Sequence, residues 1–162
     1  MTQLATDPLT LVHTAISLAA IAIGLIVLAA MLKGRTVVPL TGIFLGLTVL
    51  TSVTGFLFHN DKVTPGMVVG AISLIVLAVA LFALYGQHLA GRWRTAYVIT
   101  ATLALYLNVF VLVIQSFIKV PPLHALAPAI PPAGPVFGAV QGVVLLAFVV
   151  VGWIAVKARP AA

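Results

Sequence analysis

PLTGIFLGLTVLTSVTGFLFHND, residues 39 to 61, is the stretch from which the rest of the chain can be read. From Pro39 to Phe58 it holds no charged side chain, and it has the length of about 20 residues that a helix needs to cross the ~30 Å hydrocarbon core of a bilayer. Its faces differ. Thr41, Thr48, Ser52, Gly55 and His59 recur at intervals of 7, 4, 3 and 4, so on a 3.6-residue helix they share one side. An oily helix with a polar seam is expected to pack inside a bundle, seam inward, and to deliver His59 to one membrane surface. Gly42 and Gly46 make a GxxxG on an adjacent face, where a second helix backbone is expected to come close.

The whole chain has the same character. Of its 162 residues 63% are hydrophobic and 6% charged, with a mean hydropathy of +1.29; a soluble domain carries about a quarter of its residues as charges. An all-α, integral membrane bundle forming a single domain over residues 1–162 is expected. The net charge of +6 follows from membrane orientation, as shown below, and no nucleic-acid partner is read from it. With no cysteine there is no disulfide, thiolate metal site or cysteine nucleophile.

Outward from residues 39–58, four more apolar runs predict spans over about 9–32, 67–85, 96–118 and 134–156. No Lys or Arg precedes the first run, which is too long for a cleaved signal, so it is expected to stay as a span. His13, Ser17, Ala20 and Gly24 share its small-residue face. In the fourth span Tyr97, Ala101, Ala104, Asn108 and Gln115 line one face. Gly66–Gly70 repeats the GxxxG theme before the third span, and Gly134, Gly138 and Gly142 extend it along the fifth. Between Pro121 and Pro135 fall six of the ten prolines, and the connector 119–133 is expected to hold no regular helix.

Five spans place the termini on opposite sides. Lys33, Arg35, Arg92, Arg94, Lys157 and Arg159 then share one side, six of the eight cations. The positive-inside rule makes that side cytoplasmic and the N-terminus external, in a plasma membrane of bacterial type, with Tyr85, Trp93, Tyr97 and Trp153 as an aromatic belt at the cytoplasmic boundary.

The same topology gathers His13, His59 and His124 at the outer end. Two readings follow. His13 and His59 are candidate axial ligands of a b-type haem, with Gly55 leaving room for the porphyrin edge and Lys62 and Lys119 near its propionates. His13, His59, His124 and Asp61 are candidate ligands of zinc or copper. A third candidate site is a polar pocket of Ser17, Thr48, Ser52, Asn108, Gln115 and Gln141 for a lipid-soluble ligand such as a quinone or isoprenoid; the competing explanation is hydrogen bonding between helices. No Asp, Glu, Lys or Arg is buried in a span, which argues against ion-coupled transport, and no catalytic motif is present. The leading expectation is a small non-enzymatic membrane protein, either an accessory subunit contacting other membrane subunits or copies of itself, or a binder of an apolar ligand in an outer-leaflet pocket. The alternatives are a haem electron-transfer protein and a passive transporter or channel along the Thr41, Thr48, Ser52 face.

Overall fold

A computed structural model describes residues 7–58 and 63–158. It contains helices α1 (Pro8–Leu32), α2 (Val38–Gly55), α3 (Pro65–Leu81), α4 (Arg92–Lys119), α5 (Pro121–Leu126) and α6 (Pro135–Lys157), with no strand among the described residues. A π-helical turn, Phe82–Gly86, extends α3. All but α5 are long and apolar enough to cross a membrane. The expected five-span all-α bundle is the observed fold.

Local chemistry sets the boundaries. Pro8, Pro39, Pro65 and Pro135 lie in the first turns of α1, α2, α3 and α6, where a missing N–H removes no helical bond. The Asp7 carboxylate accepts from the Thr10 N–H at 3.1 Å, and the Thr64 hydroxyl accepts from the Met67 N–H at 3.3 Å, satisfying donors that a helix start leaves free. Gly34, at φ 69, closes α1 in the left-handed region. Its N–H bonds to Met31 O and that of Arg35 to Ala30 O, a pattern that terminates helices.

Helices α1 to α4 supply nearly all of the core. Val27, Leu28 and Met31 pack with Phe44, Leu45, Leu77, Leu84, Val98 and Leu105, all buried. From α6 only Gln141 and Ala155 are buried. Two close approaches occur at glycines outside the expected motifs. A Cβ on Gly24 would stand 2.6 Å from Leu105 Cδ1 and 2.8 Å from Phe44 Cε2, and one on Gly152 would stand 3.2 Å from Thr102 Cγ2.

Four expectations need correction. Gly46, Gly138 and Gly142 face open space, with nothing within 4 Å of an added Cβ. Gly42 meets the Tyr85 hydroxyl rather than a helix backbone. Within the GxxxG pairs, only Gly70 admits a neighbouring helix, against the Phe56 ring and Ser52 O. The proline-rich connector does hold a helix, α5, because Pro121 and Pro122 occupy its first turn, where proline is tolerated. Tyr97 does not belong to an interfacial belt: it is fully buried, and its hydroxyl donates to Thr41 Oγ1 at 3.2 Å. Trp153 and Tyr85 are exposed as a belt requires.

Antiparallel neighbours put Lys33, Arg35, Arg92, Arg94 and Lys157 at one end of the bundle and His13 and His124 at the other. The Arg94 guanidinium donates to Ala158 O at 3.0 Å across that basic end.

Candidate functional site

The polar seam of α2 faces inward, and its groups are spent on the bundle itself. Thr41 accepts from Tyr97. Thr48 Oγ1 accepts from Asn108 Nδ2 at 3.2 Å and donates to Phe44 O. Ser52 donates to Thr48 O. Ser17, on α1, donates to His13 O at 2.7 Å and approaches Thr51 Oγ1 at 3.5 Å. Each interhelical bond of this kind contributes about 0.6 kcal/mol in a bilayer. Of the expected pocket residues, Thr48 and Asn108 are joined across α2 and α4, Ser52 bonds within α2, and Ser17 approaches α2 at Thr51. Thr41, Thr48 and Ser52 are all buried, at 6% exposure or less.

Gln115 is not part of this cluster; it is exposed. The pairs Thr41–Tyr97 and Thr48–Asn108 show α2 and α4 running in the same direction. Seven residues beyond Asn108, Gln115 comes level with the last turn of α2, past the residues that α2 could pair with it. Gln141 sits elsewhere, on α6, where its Nε2 donates to Phe110 O at 3.1 Å.

His13 has a defined environment. Its Nδ1 lies 2.8 Å from Thr54 Oγ1, and its ring meets Phe58 edge-on at 5.2 Å. Thr54 Oγ1 also lies 2.7 Å from Leu50 O and 3.2 Å from Thr51 O. When its proton goes to a backbone carbonyl, it accepts from the Nδ1–H of His13 and the Nε2 lone pair is available. A histidine that ligates a metal is held in the same way, its second N–H donating to an oxygen. Gly55 faces this ring: His13 Cε1 lies 3.7 Å from where a Cβ would stand, an ordinary van der Waals contact. His59 and Asp61, with Lys62, lie outside the described residues. The Nδ1–H of His124 donates to Phe117 O at 3.3 Å, which ties it to the end of α4. Among the described residues no three metal-ligating side chains come together.

The feature that sequence reasoning missed lies between α4 and α6. Ile99, Thr102, Leu103 and Tyr106 form one wall, and Leu145, Phe148, Val149, Gly152, Trp153 and Val156 the other, around a groove of about 420 Å³. It belongs to the basic half of the bundle, the half opposite His13. Both walls follow the i, i+3, i+4, i+7 spacing of a helix face, but an apolar stripe on an apolar helix carries no contrast. One buried polar atom beside the groove stands out. The hydroxyls of Ser17, Thr48, Ser52, Thr54, Thr100 and Ser116 all donate to the carbonyl one turn earlier. Thr102 does not: it is 7% exposed, and its Oγ1 is buried without a partner. Gln141 Oε1 shares that condition but does not line the groove.

Compared with protein-family models, curated proteins and solved structures, the chain matches none.

Proposed function

We propose that this five-span protein is a non-enzymatic component of a bacterial-type plasma membrane, its basic end cytoplasmic, that holds a lipid-soluble ligand in the groove between α4 and α6. The unpartnered Thr102 hydroxyl, buried beside a largely apolar groove, supports this reading. Leaving such a group unpaired costs about 1–3 kcal/mol, and a ligand with an oily body and one oxygen relieves that cost. A quinone or an isoprenoid alcohol has this chemistry. We place the ligand in this groove rather than in the outer-leaflet pocket expected from the polar residues, because Thr48, Ser52 and Asn108 bond to one another or to their own helix. An accessory role within a larger membrane assembly is compatible with such a ligand.

The test is the ligand content of protein purified gently from its own membranes. A molecule of this class is expected at close to one per chain, and Val149→Trp, which fills the groove from an exposed position, is expected to remove most of it. Extraction of phospholipids alone, in the proportions of the bulk membrane and unaltered by the substitution, would refute the reading.

A second reading rests on the free Nε2 of His13, which suits a b-type haem or other metal ligand. The optical spectrum of the same preparation separates the two. A Soret band abolished by His13→Ala supports haem; its absence after growth with ample haem rejects it.

A further inference from the structure

The turn after α1 builds a second site, independent of the groove. The last two turns of α1 present Ile26, Ala29 and Ala30 on one side, and Val37 stands beyond the turn. With Lys33 and Arg35 they line a hollow of about 240 Å³. Ala29 is exposed, and its short side chain leaves space between Ile26 and Val37, both exposed. The two cations flank Gly34, whose left-handed conformation and paired N–H bonds hold the turn in one shape.

These charges are uncompensated. Elsewhere at the same end, Arg94 donates to a carbonyl and Lys157 lies 4.5 Å over the Trp153 ring. No hydrogen bond or ion pair joins the side chain of Lys33 or Arg35 to another described residue. The one described acid, Asp7, caps the opposite end of α1.

A guanidinium and an ammonium above an oily hollow, at the end of a membrane span, complement a molecule with a phosphate joined to hydrocarbon. Arginine engages phosphate through two parallel N–H bonds and lysine through a point charge. We propose that this hollow binds one anionic phospholipid, its phosphate on Lys33 and Arg35 and an acyl chain against Ile26, Ala29 and Ala30. Free phosphate satisfies only the first half of the site. A zwitterionic lipid offers the phosphate but brings its own cation.

The experiment uses the full chain in nanodiscs of mixed phosphatidylglycerol and phosphatidylcholine, with retained lipid counted by native mass spectrometry. The wild type is expected to keep one phosphatidylglycerol in preference to phosphatidylcholine, and excess inorganic phosphate is expected not to displace it. At about 1 kcal/mol per cation, Lys33→Gln with Arg35→Gln is expected to lower retention by about 30-fold. Ala29→Leu keeps both charges and fills the hollow, and is expected to lower retention several-fold. Arg92→Gln removes a charge from the same end and is expected to leave it unchanged. If Arg92→Gln matches the double variant, or Ala29→Leu has no effect, the preference reflects diffuse surface charge and the proposal fails. Equal retention of the two lipids, or displacement by phosphate, also overturns it. Because Ala29→Leu leaves the topology-setting charges in place, the proposal stays testable if the double variant does not insert.

Discussion

Gly24→Ala is expected to destabilise the folded bundle by about 1–2 kcal/mol, the net of overpacking and a small gain in helix propensity. The new methyl carbon would stand 2.6 Å from Leu105 Cδ1 and within 2.9 Å of two atoms of the Phe44 ring, distances that real carbon pairs do not adopt. Phe44 is 1% exposed and Leu105 1%, so neither side chain has free space to retreat into, and overpacking of this kind costs about 1–3 kcal/mol. The same substitution at Gly46 or Gly142 meets nothing within 4 Å. There, only the propensity gain of about 0.5–1 kcal/mol remains, and the sign reverses. Reversible unfolding in mixed micelles measures all three. Leu105→Ala carries its own packing loss but removes the atom nearest the new methyl, so the double variant is expected to lose less than the sum of the two single losses, and the cycle reports the coupling directly. Equal responses at Gly24 and Gly46 would show that packing at this crossing does not control stability.

Phe44→Ala is expected to cost more, about 2–3 kcal/mol. In a soluble core the loss is about 3–5 kcal/mol, a sum of transfer and cavity terms. Here an unfolded span remains in lipid, so the transfer term largely vanishes and the lost packing dominates. Ile43, the next residue along, is 51% exposed toward the surroundings of the bundle. Its replacement by alanine is expected to change stability by no more than about 0.5 kcal/mol. The same unfolding assay checks the contrast. A comparable loss at both positions would mean that α2 is rotated from its described orientation.

How far the sequence could be read depended on contrast. Thr41, Thr48 and Ser52 stand out on an oily helix, so the inward face of α2 was legible, and all three are buried. So was the α4 face from Tyr97 through Ala101 and Ala104 to Asn108. It stopped being a guide at Gln115, because periodicity describes one helix and cannot say where its neighbour ends. The glycine motifs were a weaker guide. A GxxxG permits close approach within the chain or between copies but does not supply the partner, and Gly24, outside any such pair, lies at one of the tightest contacts. Tyr97 was misplaced because position near a span end was weighed above its spacing with Asn108. Of the candidate site, the seam and His13 were visible in advance. The α4–α6 groove was not, since its walls differ from lipid-facing surface only in what the two helices make together.

The lopsided distribution of the core has a consequence in time. The large buried apolar side chains, from Ile21 to Phe117, all precede Pro135, and α6 adds only Ala155 to the buried apolar set. Because translation runs from the N-terminus and domains assemble in that order, the ribosome delivers the interior of the protein before it begins the last crossing. What α6 supplies on arrival is the second wall of the cleft beside Thr102, so any occupant must wait until that helix has joined the other four.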